Sequence, residues 1–253
     1  MLEAIAEIAA EAGRIAARRS GEDYRRWEKK AGEPVCEVDL EVDAFLRERL
    51  NALDPQAGWL SEETVDASDR YERRRVWVVD PIDGTRDFLR GRSGWCVSVA
   101  LVEERVPVIG VLAAPARGEL WTAERGQGAR RNGSPLRASA RADLAGARVP
   151  TDQLFEPDRD LVAVEKPNSI ALRMALVAAG EADLVATLKW GFEWDIAAAA
   201  LIAEEAGARV TGALGQPRAF NTAAGQAFGV LAAAPGIHAQ AVERMRERAL
   251  AVV

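Results

Sequence analysis

The chain has 253 residues, 49% of them hydrophobic, with 39 acidic against 33 basic side chains and a formal charge of −6. This length can bury a sizeable core, and the acidic balance argues against a nucleic-acid backbone as partner. Cys36 and Cys96 lack Cys-x-x-Cys spacing and His238 is the single histidine, which leaves a zinc site, a dithiol motif or a Ser-His-Asp hydrolase without support.

The first residues, Met1-Leu2-Glu3-Ala4-Ile5-Ala6-Glu7, carry acids where a secretion signal carries bases, so a cytoplasmic protein is expected. Leu2, Ile5, Ile8, Ala9, Ala12, Ile15 and Ala16 recur at three and four, which predicts a helix with one apolar face. A second helix is predicted over about residues 38–50, burying Val42, Phe45, Leu46 and Leu50. Asp39 and Asp43 share another of its sides at i, i+4, and Asp39 sits where a capping residue would. Glu62 and Glu63 then follow the short apolar run Trp59-Leu60, which could end a strand.

The run Val76-Trp77-Val78-Val79 predicts a strand buried on both faces, stopped by Pro81. Asp80 closes it and Asp83 follows after a tight turn, a way to aim two hard oxygen donors at one point. Gly84 lets a ligand approach the main chain, and the free N–H groups from Thr85 onward can receive phosphate oxygens. Phosphatases with an aspartyl nucleophile also place two aspartates after an apolar strand, but one residue apart; here Pro81 and Ile82 intervene. Turn chemistry of Asp-Pro and Asp-Gly is the other reading of these residues.

Further strands are predicted over residues 95–103, 106–114 and 119–123, with turns at Arg117-Gly118 and Asn132-Gly133. Gly126 and Gly128 lack the third glycine of a dinucleotide fingerprint. Residues 134–147 are small and of scattered charge, and mark a boundary between an N-terminal α+β lobe with an antiparallel sheet, 1–137, and a C-terminal α/β lobe, 138–253. In the second lobe strands are predicted at 161–164, 182–186, 208–211 and 228–233. Helices are predicted at 169–179, after Asp195, and at the C-terminus beyond Pro235-Gly236. Asp195 stands at or near the N-cap of an alanine-rich helix that Gly207 ends. The apolar run 196–203 in that helix is far too short to span a bilayer, and no membrane partner is expected.

The segments 59–64, 77–88 and 194–207 resemble, in order, the signature motifs of the inositol monophosphatase superfamily. The resemblance implies an α/β protein folded as an α/β/α/β/α sandwich, acting as a lithium-sensitive, magnesium-dependent phosphomonoesterase and forming a homodimer. It further implies two or three Mg2+ per subunit. Glu62, Asp80 and the carbonyl of Ile82 would hold one metal, and Asp80, Asp83 and Asp195 a second. Thr85, assisted by Asp39, would orient and activate the attacking water, with Glu62 also catalytic, and Asp83, Gly84 and Thr85 would meet the phosphate. Electrostatics says why acids so clustered need metal: two like charges 4 Å apart repel by roughly 4 kcal/mol at an effective dielectric of about 20.

For the substrate, Arg86-Asp87-Phe88 looks more like the continuation found in the bisphosphate nucleotidase branch than the Thr-Asn-Phe of inositol phosphatases. Thr187, Leu188 and Lys189 stand where inositol-cleaving members place an acid, and Lys189 could meet a second phosphate. Ser169, after Asn168 rather than the usual glycine, and Asp195 complete the expected substrate contacts. 3′-Phosphoadenosine 5′-phosphate is thus expected ahead of inositol monophosphate, with histidinol phosphate and sugar phosphates behind. A catalytically silent anion-binding protein would be expected to have lost one of Glu62, Asp80, Asp83, Thr85 or Asp195, and all five are present.

Overall fold

The computed structural model describes residues 1–30, 33–66 and 68–252. In chain order its elements are α1 (Leu2–Arg19), β1 (Arg26–Lys30), β2 (Glu33–Cys36), α2 (Glu37–Leu53), β3 (Gly58–Ser61), β4 (Arg75–Asp83), α3 (Thr85–Leu89), β5 (Cys96–Glu103), β6 (Val106–Ala114), β7 (Glu119–Glu124), β8 (Ala129–Arg131) and β9 (Ser134–Pro135). They continue as β10 (Arg148–Pro150), β11 (Val162–Val164), α4 (Ile170–Ala178), β12 (Leu184–Phe192), α5 (Ala197–Glu205), β13 (Arg209–Thr211), β14 (Gln226–Ala233) and α6 (His238–Leu250).

Strands β3 to β9 form one seven-stranded sheet in sequence order, parallel between β3 and β4 and antiparallel elsewhere. Alternation along its strands feeds two cores, because successive side chains leave a strand on opposite faces. Trp77 and Val79 of β4, with Val97, Val99 and Leu101 of β5, pack with Ile5, Ala9, Val42 and Leu46 of α1 and α2. Val76 and Val78, with Ala100 and Val102, pack on the other face with α4 and α5. That second core draws on both sides of residue 137. A three-stranded sheet, ordered β12-β14-β13, lies beyond α4 and α5, and α6 covers it through Ala241, Val242 and Met245. The layers are therefore α1/α2, sheet, α4/α5, sheet, α6, the expected α/β/α/β/α sandwich.

Alanine permits this stacking. Residues 197–203 of α5 are all buried, as befits a helix apolar all round and enclosed by sheets. The approach is so close that a Cβ on Gly110 of β6 would lie 2.6 Å from the carbonyl oxygen of Ala198.

The structure corrects several expected boundaries. Pro81 does not end the strand: β4 runs on to Asp83 through a bulge, Asp80 facing Ser98 and Asp83 facing Cys96, so one extra residue is accommodated where a proline costs no ladder bond. Strand β12 continues six residues beyond the expected end at 186, its outer part carrying the exposed Lys189 within an irregularity between Thr187 and Trp190, and the exposed Trp190 at its end. The pairing of β10 with β11 is parallel and had no sequence signal at β10. Both cysteines are free and buried, and burial, then Asp39, pushes the Cys36 thiol up to about 12. No helix among the described residues is long and apolar enough to cross a membrane.

Asp183, 1% exposed, joins β10 to the start of β12. Its carboxylate accepts from Arg148 Nε at 2.9 Å, Arg148 Nη2 at 2.8 Å, the Arg148 backbone N–H at 2.9 Å and the Ser139 hydroxyl at 2.6 Å. Burial alone would raise its pKa; the Arg148 and Ser139 bonds outweigh it and hold it at about 2, below the ordinary 3.8. Asp183→Ala leaves Arg148 without its carboxylate and is expected to cost about 3 kcal/mol of stability at neutral pH. Because the folded-state pKa is depressed, the contribution is present above the ordinary value and lost as pH falls through about 2. Urea titrations of both proteins should therefore converge on acidification; a gap that stays constant down to pH 2 would contradict the ion pair as its origin.

Candidate active site

Register places the first acids together. Ser61 of β3 pairs with Val79 of the parallel β4, and the Glu62 N–H continues the ladder to the Val79 carbonyl at 3.4 Å, so Glu62 emerges beside Asp80. Asp43 of α2 anchors this segment by accepting from the Ser61 hydroxyl and, at 2.6 Å, from the Thr64 hydroxyl. The β4 bulge then turns Asp83 toward α4. The Ser169 hydroxyl and the Ala171 N–H donate to Asp83 Oδ2 at 2.5 and 2.8 Å. Asp195 arrives from the end of β12, its carboxylate accepting from the Phe192 N–H at 3.4 Å.

Glu62, Asp80, Ile82, Asp83, Gly84, Thr85 and Asp195 line one pocket of about 170 Å³ with Arg86 and Asn168. Residues 133 positions apart, from Glu62 to Asp195, thus meet as the sequence reading requires. The Ile82 N–H caps Asp80 Oδ1 at 2.9 Å, and the Thr85 hydroxyl donates to the Ile82 carbonyl at 3.0 Å. Gly84 has φ +95° and opens α3.

Three expected roles look different in the structure. Asp195 does not cap α5; Ile196 occupies that position, and the Asp195 side chain turns back to β12. Ser169 is fully buried and lines neither the pocket nor the adjoining cavity; it caps α4 through the Leu172 N–H at 2.9 Å and holds Asp83. Asp39 is at the third position of α2, inside a capping box with Cys36, accepting from the Cys36 N–H at 2.8 Å and Sγ at 2.9 Å. Lys189 is exposed at the rim of the adjoining cavity.

Electrostatics marks the pocket as a site for positive charge. Burial, then the charges of Glu62, Asp83, Asp195 and Asp39, raises the Asp80 pKa well above the ordinary 3.8. Burial raises Asp83 to about 6 against the opposing bonds from Ser169 and Ala171. Asp195 is raised by desolvation, then Asp83 and Glu62, with the Phe192 N–H and Lys189 opposing. Asp80 Oδ2 is buried with no hydrogen-bond partner among the described residues. Among the described residues no three His, Cys, Asp or Glu side chains already close into a metal cage; the acids ring the pocket instead. Such a ring suits a hard divalent ion that takes its remaining ligands from water and phosphate.

Sequence reasoning missed the network that steadies this ring. Arg70, fully buried, donates through Nε and Nη2 to Asp66 at 2.6 and 2.7 Å, through Nη1 to Asn221, and through Nη2 to the Thr222 carbonyl at 2.9 Å. Glu193 accepts the backbone N–H groups of Asn221 and Thr222 at 2.5 and 2.9 Å. The loop after Glu62 is thereby tied to the segment before Asp195. The one sequence signal was an arginine in a charged stretch, which resembles any solvated arginine.

Comparison with known proteins places the chain in a family. Residues 1–250 match the model of the inositol monophosphatase family. Inositol monophosphatase 3 of Solanum lycopersicum is 33% identical over 190 residues, 68% of this chain and 71% of that protein. The 3′(2′),5′-bisphosphate nucleotidase CysQ of Aggregatibacter actinomycetemcomitans is 33% identical over 207 residues, 76% of this chain and 77% of that protein. The crystal structure of the extragenic suppressor protein SuhB from Bartonella henselae superposes with a TM-score of 0.83 at 28% identity, covering 97% of this chain and 98% of that one. By that match over nearly its whole length and these relatives, the chain belongs to the inositol monophosphatase family of phosphoric monoester hydrolases.

Proposed function

We propose that the protein is a magnesium-dependent phosphatase of small phosphate monoesters, with 3′-phosphoadenosine 5′-phosphate ahead of inositol monophosphate as substrate. The observation that carries this is the ring of Glu62, Asp80, Asp83 and Asp195 around one pocket, with Asp80 Oδ2 unpartnered inside it. Phosphatases of the family are generally metal-dependent, typically on Mg2+.

Glu62, Asp80 and the Ile82 carbonyl would hold one ion, and Asp80, Asp83 and Asp195 another. When bound, Mg2+ supplies the charge that offsets the acids and the phosphate and makes water acidic enough to attack at neutral pH. The protein's own part is positional. Ser169 and Ala171 fix Asp83, the Ile82 N–H fixes Asp80, and Asp43 fixes the segment bearing Glu62. The Thr85 hydroxyl, held on the Ile82 carbonyl at 3.0 Å, is the group proposed to orient the attacking water, and Asp39 the carboxylate proposed to assist it. The N–H groups at Gly84 and Thr85, at the first turn of α3, would meet the phosphate. Ser169 acts through Asp83 rather than on the substrate.

The substrate preference rests on Arg86 and Lys189, which bring cations where an inositol site would need an acid. The two parts 1–137 and 138–253 each contribute acids, and a cytoplasmic homodimer completes the reading. Phosphate release from 3′-phosphoadenosine 5′-phosphate, inositol monophosphate, histidinol phosphate and a sugar phosphate should require Mg2+ and fall on adding lithium. Absence of hydrolysis of all four with Mg2+ present would sink the assignment.

A further inference from the structure

Asp195 reaches the carboxylate ring by a different route from its companions. Glu62 follows β3, and Asp80 and Asp83 lie on β4, so the pairing of two neighbouring strands sets their spacing. Asp195 instead stands in the turn between β12 and α5, where its side chain accepts one long bond, 3.4 Å, from the Phe192 N–H. Like charge on Asp83 and Glu62 repels it. The position of Asp195 therefore depends on what holds that turn. The Ser98 hydroxyl ties it to β5 by donating to the Trp194 carbonyl at 3.2 Å, and a longer chain of bonds ties it to the segment that carries Glu62.

Glu193 is the near end of this chain. Its carbonyl closes the turn by accepting the Ile196 and Ala197 N–H groups at 3.2 and 2.9 Å, and its own N–H donates to the Gly225 carbonyl at 2.9 Å. Its carboxylate accepts the Asn221 and Thr222 N–H groups and the Thr222 hydroxyl, all in the stretch between β13 and β14. Arg218, from the same stretch, bonds the Phe228 carbonyl at 3.4 Å and adds a cation that acts on Glu193. Asn221 passes the connection on: its amide oxygen accepts from Arg70 Nη1, and its amide nitrogen donates to the Arg70 carbonyl at 3.3 Å. Arg70 in turn grips both oxygens of Asp66, four residues after Glu62. Tyr71 adds a bond from its hydroxyl to the Ala223 carbonyl. Arg70, Asn221 and Glu193 are all buried, yet none of them lines the carboxylate pocket or the adjoining cavity.

Apolar side chains of similar volume would hold two loops together as firmly as buried charges do. What directional bonds add is a defined separation. Mg2+ demands near-ideal octahedral geometry with oxygens at about 2.0–2.1 Å, so a shift of about 0.5 Å that a core would absorb takes one carboxylate out of reach. We propose that Arg70, acting through Asn221 and Glu193, is a positioning residue for the second ion: it fixes Asp195 opposite Asp80 and Asp83 and so sets the Mg2+ affinity of the site, beyond any part in stability. The inference rests on the metal assignment above and adds the residues that tune it.

The test is calorimetric titration with Mg2+, run beside the Mg2+ dependence of turnover. Asn221→Gly is the sharper variant. Asn221 has φ +56°, which glycine adopts freely, so the N–H donated to Glu193 stays while both side-chain bonds to Arg70 go. Arg70→Lys keeps the charge and loses the fork, and serves should Asn221→Gly fail to fold. Each should raise the Mg2+ Kd by about 10- to 100-fold, the usual effect of losing a group that orients a metal ligand. In each, excess Mg2+ should restore kcat and leave the KM for the phosphate ester unchanged. Asp183→Ala is the control, because it removes an ion pair at the opposite end of β12 and should bind Mg2+ as the wild type does. Wild-type Mg2+ affinity in Asn221→Gly and Arg70→Lys, or an equal loss in Asp183→Ala, overturns the inference and leaves the phosphatase reading intact. If the wild-type protein itself binds no Mg2+, the metal assignment fails and the inference falls with it.

Discussion

Asp80→Asn is expected to reduce phosphate release by about 10²- to 10³-fold with the fold intact. The amide has the same volume, and its oxygen can keep the bond from the Ile82 N–H that Oδ1 now accepts. What disappears is the charge on the one carboxylate the reading assigns to both ions, and the partnerless Oδ2 with it. Stability without metal should not fall, because the substitution removes one of several like charges that raise one another's pKa. The measurement that isolates the cause is the melting temperature with and without Mg2+. Wild-type protein should gain stability as ligand binding requires, and the variant should gain far less. Were the variant to lose turnover yet keep the full Mg2+ shift, Asp80 would be acting on the substrate and not as a metal ligand.

The architecture was legible because hydrophobic period and chemistry agreed along most of the chain. The strand of Val76 to Val79 feeds two cores through alternate residues, and a run apolar on both faces is what such a strand looks like in sequence. The acids were legible by type and by order. Their convergence was not derivable from spacing: it depends on the parallel pairing of β3 with β4 and on the bulge at Pro81, both set by tertiary contacts. Ser169 illustrates the limit. A serine ahead of a helix reads equally as a cap or a ligand contact, and only burial shows that it serves as cap and as a brace for Asp83.

The residues that escaped sequence reading share a physical feature. Asp43, Arg70, Glu193 and Arg218 act across long sequence separations on backbone or on another side chain, so no local pattern announces them. Arg70 and Asn221, which bond each other, are 151 positions apart. Asp43 lies on the buried side of α2 beside Val42 and Leu46, and a carboxylate at a core position is the one hint a helical wheel could have offered. Arg218 stands in an irregular segment with no period to violate.

Gly84→Ala is expected to destabilise the protein by about 3 kcal/mol and to cut turnover more than tenfold in the fraction that stays folded. Gly84 has φ +95°, a left-handed conformation that strains any residue with a Cβ. The added methyl would also stand 2.7 Å from the Gly94 carbonyl oxygen, 2.9 Å from the Ser169 nitrogen and 3.2 Å from the Trp95 Cα. All three are backbone atoms, so none can swing aside. The Ser169 N–H and the Gly94 carbonyl are themselves bonded at 2.8 Å, and parting them pulls the Ser169 hydroxyl from Asp83 on one side and shifts Thr85 on the other. Gly118→Ala separates the two effects, since that glycine is also left-handed at φ +64° but has nothing within 4 Å of a Cβ. It should lose only the backbone cost, about 1–2 kcal/mol, and keep normal turnover. If the two alanine variants melted alike and both turned over normally, the convergence of residues 84, 94 and 169 would not be what holds Asp83 and Thr85 in register.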